Sequence, residues 1–281
     1  MAGPLPIKLE ELMKLPMMGI KQEDITPVNV RMESDKFICV REASSAHLSI
    51  VDMDKPGMAP DRKPMKADSV IMNPVAKVLA LSAKSGDKTT LQIFNMELKS
   101  KMKGQDFPAE VVHWEWIDNK TIGIVTATTV FHWTIDGAEA PFKVFARHDS
   151  WNGVQIMGYK ASPDMKWLVL NGISRDASGQ YVGKMQLYSI EKKVSQPING
   201  FAAGFATVTT PQGPLLLFCL ANKTAAGGQV QLVKIAGDAQ FAKKTVDLAP
   251  FEDQPTQDFP IAMRVPRRQP QLPIPPLQDS R

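Results

Sequence analysis

Cysteine is nearly absent from this chain of 281 residues. Only Cys39 and Cys219 occur, each inside an apolar run, FICV and LFCL. That excludes a disulfide framework and any zinc site built on several cysteines. An excess of one charge is missing too. The 33 basic residues stand against 29 acidic ones, a net +4, far from a nucleic-acid-binding tail. The first residues hold no uninterrupted apolar stretch, because Lys8, Glu10, Glu11 and Lys14 break up what a signal peptide requires. The longest uncharged run, 194–222, is cut by Pro197, Pro211, Gly213 and Pro214 and cannot be one spanning helix. The sequence therefore predicts a soluble, cytosolic protein with no direct membrane insertion and no nucleic-acid partner. In that setting the Asn-Lys-Thr triplets at 119–121 and 222–224 read as chance, not glycosylation.

What is present is apolar and repetitive. With 43% hydrophobic and 22% charged residues the chain is not disordered, and it is long enough to bury a core without staples. A short alternating pattern recurs as LSIVD (48–52), LQIFN (91–95), VFHWT (130–134), MQLYS (185–189) and VQLVK (230–234). Its spacings are 43, 39, 55 and 45 residues. Each copy follows another apolar run: KFICV (36–40), KVLAL (77–81), TIGIV (121–125), KWLVL (166–170) and LLLFC (215–219). Turn formers lie between, at 85–87, 176–179 and 226–228. Strand pairs on a period near 45 residues are the signature of propeller blades. The long helix-period stretches of an α/β fold are missing, and the one helix candidate is residues 8–15. An irregular β-sandwich with coincidental spacing is the alternative, and five copies weigh against it.

At MESDKFICVRE (32–42) the chain resembles the clathrin heavy chain family, specifically its N-terminal seven-bladed β-propeller. The resemblance continues through ADSVIMNP (67–74), LQIFNMELKSKMK (91–103), KWLVLNGIS (166–174), MQLYSIEKKVSQPI (185–198) and QDFPIAM (257–263). It covers about residues 1–264 in unbroken order. It implies an all-β propeller, here of about five blades plus part of a sixth. The implied function is that of a clathrin coat component in vesicle-mediated transport and endocytosis, at the cytoplasmic face of coated pits and vesicles. Its implied partners are adaptor and accessory proteins carrying clathrin-box peptides. In the family the helical leg binds light chains and other heavy chains, and that leg is not in this sequence. A truncated paralogue acting as a soluble adaptor-binding scaffold or competitor is the alternative.

By the same resemblance, the clathrin-box groove between the first and second blades maps to Lys63, Met65, Leu79, Thr90, Gln92, Phe94, Lys99 and Lys101. The residues are suited to it. Thr90, Gln92 and Phe94 are two apart on one strand and point to one face. Leu79, Met65 and Phe94 can offer apolar pockets to alternate side chains of an extended ligand. Lys99 and Lys101, also two apart, can face a terminal carboxylate, and Lys63 adds a third positive charge. Without the resemblance these positions read as blade core and a solvated charge run. Two features depart from the family: Asp61 stands where an apolar residue is usual, and the 82–89 turn is longer. The charge at Asp61 either repels an acidic peptide or points to solvent. A second side groove, between the fourth and fifth blades, maps to Lys192 and Gln196. A top pocket for Trp-containing peptides maps to Pro27, Gln155 and Met157, where Pro27 replaces an aromatic stacking partner.

A closed seven-blade ring needs on the order of 320 residues. Beyond 264 the chain holds five prolines, which forbid a central strand, and residues 265–281 read as polyproline II or disorder. Arg267-x-x-Pro270-x-x-Pro273 matches an SH3-ligand spacing, a pattern frequent by chance. The expected ring is open, with two unpaired edges and no partner for a closing strand at residues 5–9. Catalytic patterns are poor. His47, His113, His132 and His148 show no HxxxH or HExxH spacing, and no nucleophile elbow, P-loop or dinucleotide fingerprint occurs. The sequence predicts no enzyme, no metal and no cofactor.

Overall fold

The computed structural model describes residues 11–55, 57–86, 88–224, 227–237, 241–248, 260 and 262–264. All its strands lie in five four-stranded antiparallel sheets, each a simple meander in chain order. The first holds β1 (Val30–Arg31), β2 (Phe37–Glu42), β3 (His47–Asp52) and β4 (Asp61–Pro64). The second holds β5 (Ser69–Met72), β6 (Val78–Ser85), β7 (Lys88–Asn95) and β8 (Ser100–Phe107). The third holds β9 (His113–Trp116), β10 (Thr121–Val125), β11 (Thr129–Thr134) and β12 (Phe142–Ala146). β13 (Gln155–Ala161), β14 (Trp167–Arg175), β15 (Tyr181–Ser189) and β16 (Val194–Asn199) form the fourth. The fifth consists of β17 (Ala202–Thr210), β18 (Gly213–Thr224), β19 (Gly227–Ala236) and β20 (Lys244–Asp247). The fold is all-β, built of propeller-type blades. The repeated apolar pairs of the sequence are the middle two strands of every blade.

Two compact units divide the chain, Met1–Asn152 with three sheets and Gly153–Arg281 with two. In the first unit the core lies between sheets. Alternate residues of the second sheet serve two neighbours, as the two-residue period of a strand requires. Val70, Met72 and Leu79 pack on Phe37, Cys39, Leu48 and Ile50 of the first sheet. Ile71, Val78, Ala80, Leu91 and Ile93 pack on Trp114, Trp116, Ile122, Ile124 and Trp133 of the third. Each fully buried Leu, Ile or Phe contributes about 1.5–3 kcal/mol. Side-chain hydrogen bonds tie the second sheet to the third: Trp114 Nε1 donates to Ser69 Oγ (2.9 Å), Asn73 Nδ2 to the Asn119 carbonyl (2.8 Å) and Lys103 Nζ to the Thr134 carbonyl (2.9 Å). In the second unit Val169, Met185 and Leu187 pack on Ala203, Phe205, Leu216, Phe218 and Leu220. The outer face of the fifth sheet buries Leu215, Leu217 and Cys219 against Phe241 and Met263.

Three local expectations need correction. The expected helix at 8–15 is not formed where the structure describes it. Residues 11–14 are irregular, and a 3-10 turn, Leu15–Met18, follows with Pro16 at its start. Proline removes a donor and suits only a first turn. Its neighbours Met13, Leu15 and Met18 cover Ile20, Val40 and Val51 on the free face of the first sheet. The 82–89 turn is not long, because the extra residues lengthen strands. Ser85 pairs with Lys88, which leaves a two-residue connection with Gly86 at φ 61. Gly227 and Gly228 begin β19, paired with Thr224 and Lys223, and do not form a turn. The 176–179 turn forms as expected. Its Asp176 carboxylate accepts from the Ser178 hydroxyl (2.6 Å) and from the backbone N–H of Ser178 and Gln180 (2.9 Å each). Residues 5–9 and the 265–281 tail lie outside the described residues, as does all but Arg264 of the chain beyond Met263, where a sixth blade is expected to start.

Cys39 and Cys219 are both free and buried, and burial pushes the Cys39 thiol up to about 12. His132 of β11 is 4% exposed and edge-on to Phe142. Burial lowers its pKa from 6.5 to about 4, partly opposed by Asp118. Above pH 6.5 the ring is neutral folded or unfolded. Below 6.5 the unfolded chain takes the proton first, so stability falls as pH drops from 6.5 towards 4. This contributes up to about 3 kcal/mol of pH-dependent loss. Denaturant melts across that window are expected to show a steeper decline for the wild type than for His132→Gln.

Candidate functional site

The candidate groove forms where the first and second sheets face each other. On β7, Thr89, Leu91 and Ile93 are buried towards the third sheet. Thr90, Gln92 and Phe94 are half-buried on the opposite face, as their spacing predicts. Phe94 stands across from Leu79 and Gln92 across from Leu81. Leu79 is only 4% exposed and packs with Phe37, Leu48 and Ile50. It is the floor of the groove and not an open pocket wall, and half-buried Met65 lies against the same cluster.

The cations are placed unequally. Lys101 on β8 pairs with Phe94 across a bulge between Ile93 and Phe94. Its side chain lies over Gly104, where an added Cβ would come 2.5 Å from its Cε and Nζ. Gly104 in turn faces Gln92, so Lys101 belongs to the groove face. Lys99 is not on the strand. It sits in the preceding turn in the left-handed region, φ 51, after Asn95, whose Oδ1 accepts from the N–H of Glu97 and Leu98 (2.9 Å each). The strand alternation that linked Lys99 to Lys101 therefore does not apply. Lys103 faces away and donates to the Thr134 carbonyl (2.9 Å).

The opposite wall is β4, and alternation divides its residues. Arg62 points to the far face, where its guanidinium donates to Glu42 (3.1 Å), Ser49 Oγ (3.1 Å) and the Gly19 carbonyl (2.6 Å). Asp61 and Lys63 pair with Ile50 and Leu48, whose side chains face the second sheet. Lys63 Nζ lies 2.7 Å from Asp61 Oδ1, both about half exposed. The departure at Asp61 thus has a direct effect: it partners the lysine expected to meet a ligand carboxylate. A cavity of about 60 Å³ opens beside Asp61, lined by Phe37, Ile50, Met72 and Met96 with Asp52 and Lys77. That is several times the room one water needs. It adjoins a cleft of about 440 Å³ with Lys36, Lys55, Lys77, Asp52, Asp54 and Glu97 in its walls. Sequence reasoning missed Phe37, Ile50, Met72 and Met96. Each comes from a different segment, so only the packing of the first sheet on the second brings them together.

In the second unit Gln196 pairs with Leu187, so it lies on the side where Leu187 and Ile198 pack towards the fifth sheet. Lys192 is exposed in the turn before Lys193 (φ 52), its N–H donating to Ser189 Oγ (3.3 Å). Pro27 is exposed in a turn of the first unit. Gln155 is exposed on β13 of the second unit, and Met157 occupies a bulge there. His113 Nε2 lies 3.7 Å from Glu115 Oε1, while Trp114 and Trp116 on the same strand are core. Among the described residues no group of three His, Cys, Asp or Glu could hold a metal, and no helix is long and apolar enough to cross a membrane.

The chain is 45% identical over 273 residues to the clathrin heavy chain of Drosophila melanogaster. It is 48% identical over 272 residues to a probable clathrin heavy chain 1 of Caenorhabditis elegans, and 43% over 273 to clathrin heavy chain 2 of Homo sapiens. Each match covers 94% of this chain and 16% of the relative. No family model matches. Solved structures of similar shape include the N-terminal domain of Nup159, at TM-score 0.45 and 11% identity, covering 84% of this chain and 69% of that one. The chain is homologous to clathrin heavy chains over nearly all its length and spans 16% of the length of these curated relatives.

The floor and the rim of the groove should respond differently to substitution. Leu79→Ala is expected to cost about 2–5 kcal/mol in equilibrium denaturation. Lys99→Glu, in an exposed turn, should stay within about 0.5 kcal/mol of the wild type.

Proposed function

We propose that this homologue of clathrin heavy chains is a clathrin coat component whose first inter-sheet groove binds clathrin-box peptides of adaptor and accessory proteins. Residues 1–264 form its propeller-type region and 265–281 a Pro-rich tail. Its place is vesicle-mediated intracellular protein transport and endocytosis, at the cytoplasmic face of coated pits and vesicles. The observation that carries the reading is the half-buried row Thr90–Gln92–Phe94 above the Leu79 floor, with Lys101 across from Phe94. An extended ligand presents alternate side chains to such a row, its apolar residues meeting Phe94 and Met65 and its acid meeting Lys101 and Lys99. Lys192 and Gln196 offer a second site of similar design.

Exposed ion pairs contribute about 0.2–1 kcal/mol each and weaken in salt. Single-site affinity is therefore low, and recruitment depends on many copies engaged together. Phe94→Ala is expected to weaken pull-down of a clathrin-box peptide strongly, and Lys99→Glu by roughly two- to fivefold, while circular dichroism and melting stay as in the wild type. Undiminished capture by both variants would remove the groove assignment.

A further inference from the structure

The two walls of the groove carry different charge patterns. The wall from the second sheet offers Lys99 and Lys101. The wall from the first sheet offers Asp61 beside Lys63, at 2.7 Å. Asp61 also borders the apolar cavity of Phe37, Ile50, Met72 and Met96. Asp52, the other carboxylate of that cavity, has Lys55 at 3.8 Å. A ligand side chain seated in the cavity therefore places its neighbours within reach of Asp61.

An incoming carboxylate on that side competes with Asp61 for Lys63 and gains little. An incoming ammonium or guanidinium meets Asp61 directly, and because the Asp61–Lys63 pair is half exposed, exchanging partners costs little. Consecutive side chains of an extended peptide point to opposite sides. One residue can thus face Lys99 and Lys101 while its neighbour faces Asp61. We propose that Asp61 is a specificity-determining residue, and that the ligands of this groove are extended peptides with Lys or Arg beside the apolar residue seated in the cavity. An acid of the same peptide meets the second-sheet wall. This rests on the groove-binding function proposed above, and it adds to that function a ligand class set by this chain's own charge pattern.

The test uses two labelled peptides, identical except for Lys or Glu at the residue flanking the apolar anchor, titrated by fluorescence anisotropy. The proteins are the full chain, Asp61→Asn and Phe94→Ala. The wild type is expected to prefer the Lys peptide by roughly two- to fivefold, the size of an exposed charge pair. Asp61→Asn should erase that preference with an unchanged melting profile, and Phe94→Ala should weaken both peptides. Equal binding of the two peptides by the wild type, or a preference that survives Asp61→Asn, overturns the role of Asp61 and leaves groove binding in place. Failure of the wild type to bind either peptide overturns the groove function and this inference together.

Discussion

Each sheet of this chain is apolar on two faces and cannot bury either by itself. The second sheet makes the constraint plain. Leu79 must reach the first sheet while Val78 and Ala80 reach the third, so the three blades of that unit are held by interleaved side chains. The hydrogen bonds from Trp114 and Asn73 add direction to what is otherwise non-directional packing. Where a blade has no neighbouring blade against it among the described residues, irregular segments take over. Met13, Leu15 and Met18 do this on the first sheet, and Phe241 and Met263 do it on the fifth.

The same constraint creates the groove proposed as the binding surface. On the central strand β7 one face packs against the third sheet, and on the other face the row of Thr90, Gln92 and Phe94 emerges half-buried. Such a row is neither core nor plain surface. It keeps apolar contact area available to a ligand while its own fold holds the floor closed through Leu79. In the proposed function a side chain of the row serves recognition with little cost to stability, and one on the floor the reverse, so the two roles divide along a single cross-strand pair, Leu79 and Phe94.

Much of this was legible in the sequence, and what escaped has physical reasons. The central strands were visible because burial on both faces demands dense runs such as TIGIV and LLLFC. Edge strands were not: β4 reads DRKP and β20 reads KTVD, with no buried residue and no apolar period to betray them. They exist because a neighbouring ladder offers them partners. The 82–89 segment was misjudged because length alone does not say whether residues extend strands or swell a turn. The Asp61–Lys63 pair could have been inferred, since residues two apart on a strand share a face. Lys99 could not be placed, because only the Asn95-capped turn sets its left-handed backbone.

Strand β4 has one more consequence. Its guanidinium at Arg62 is fastened to Glu42, Ser49 and the main chain at Gly19, on the side away from the groove. That anchorage braces the strand that carries Asp61 and Lys63, while their half-exposed side chains stay free to exchange partners. A peptide bound as proposed would meet a wall already braced from behind and would spend little of its own binding energy on bracing it. Under that reading, selectivity at this wall is rooted in a contact on the side the ligand does not reach.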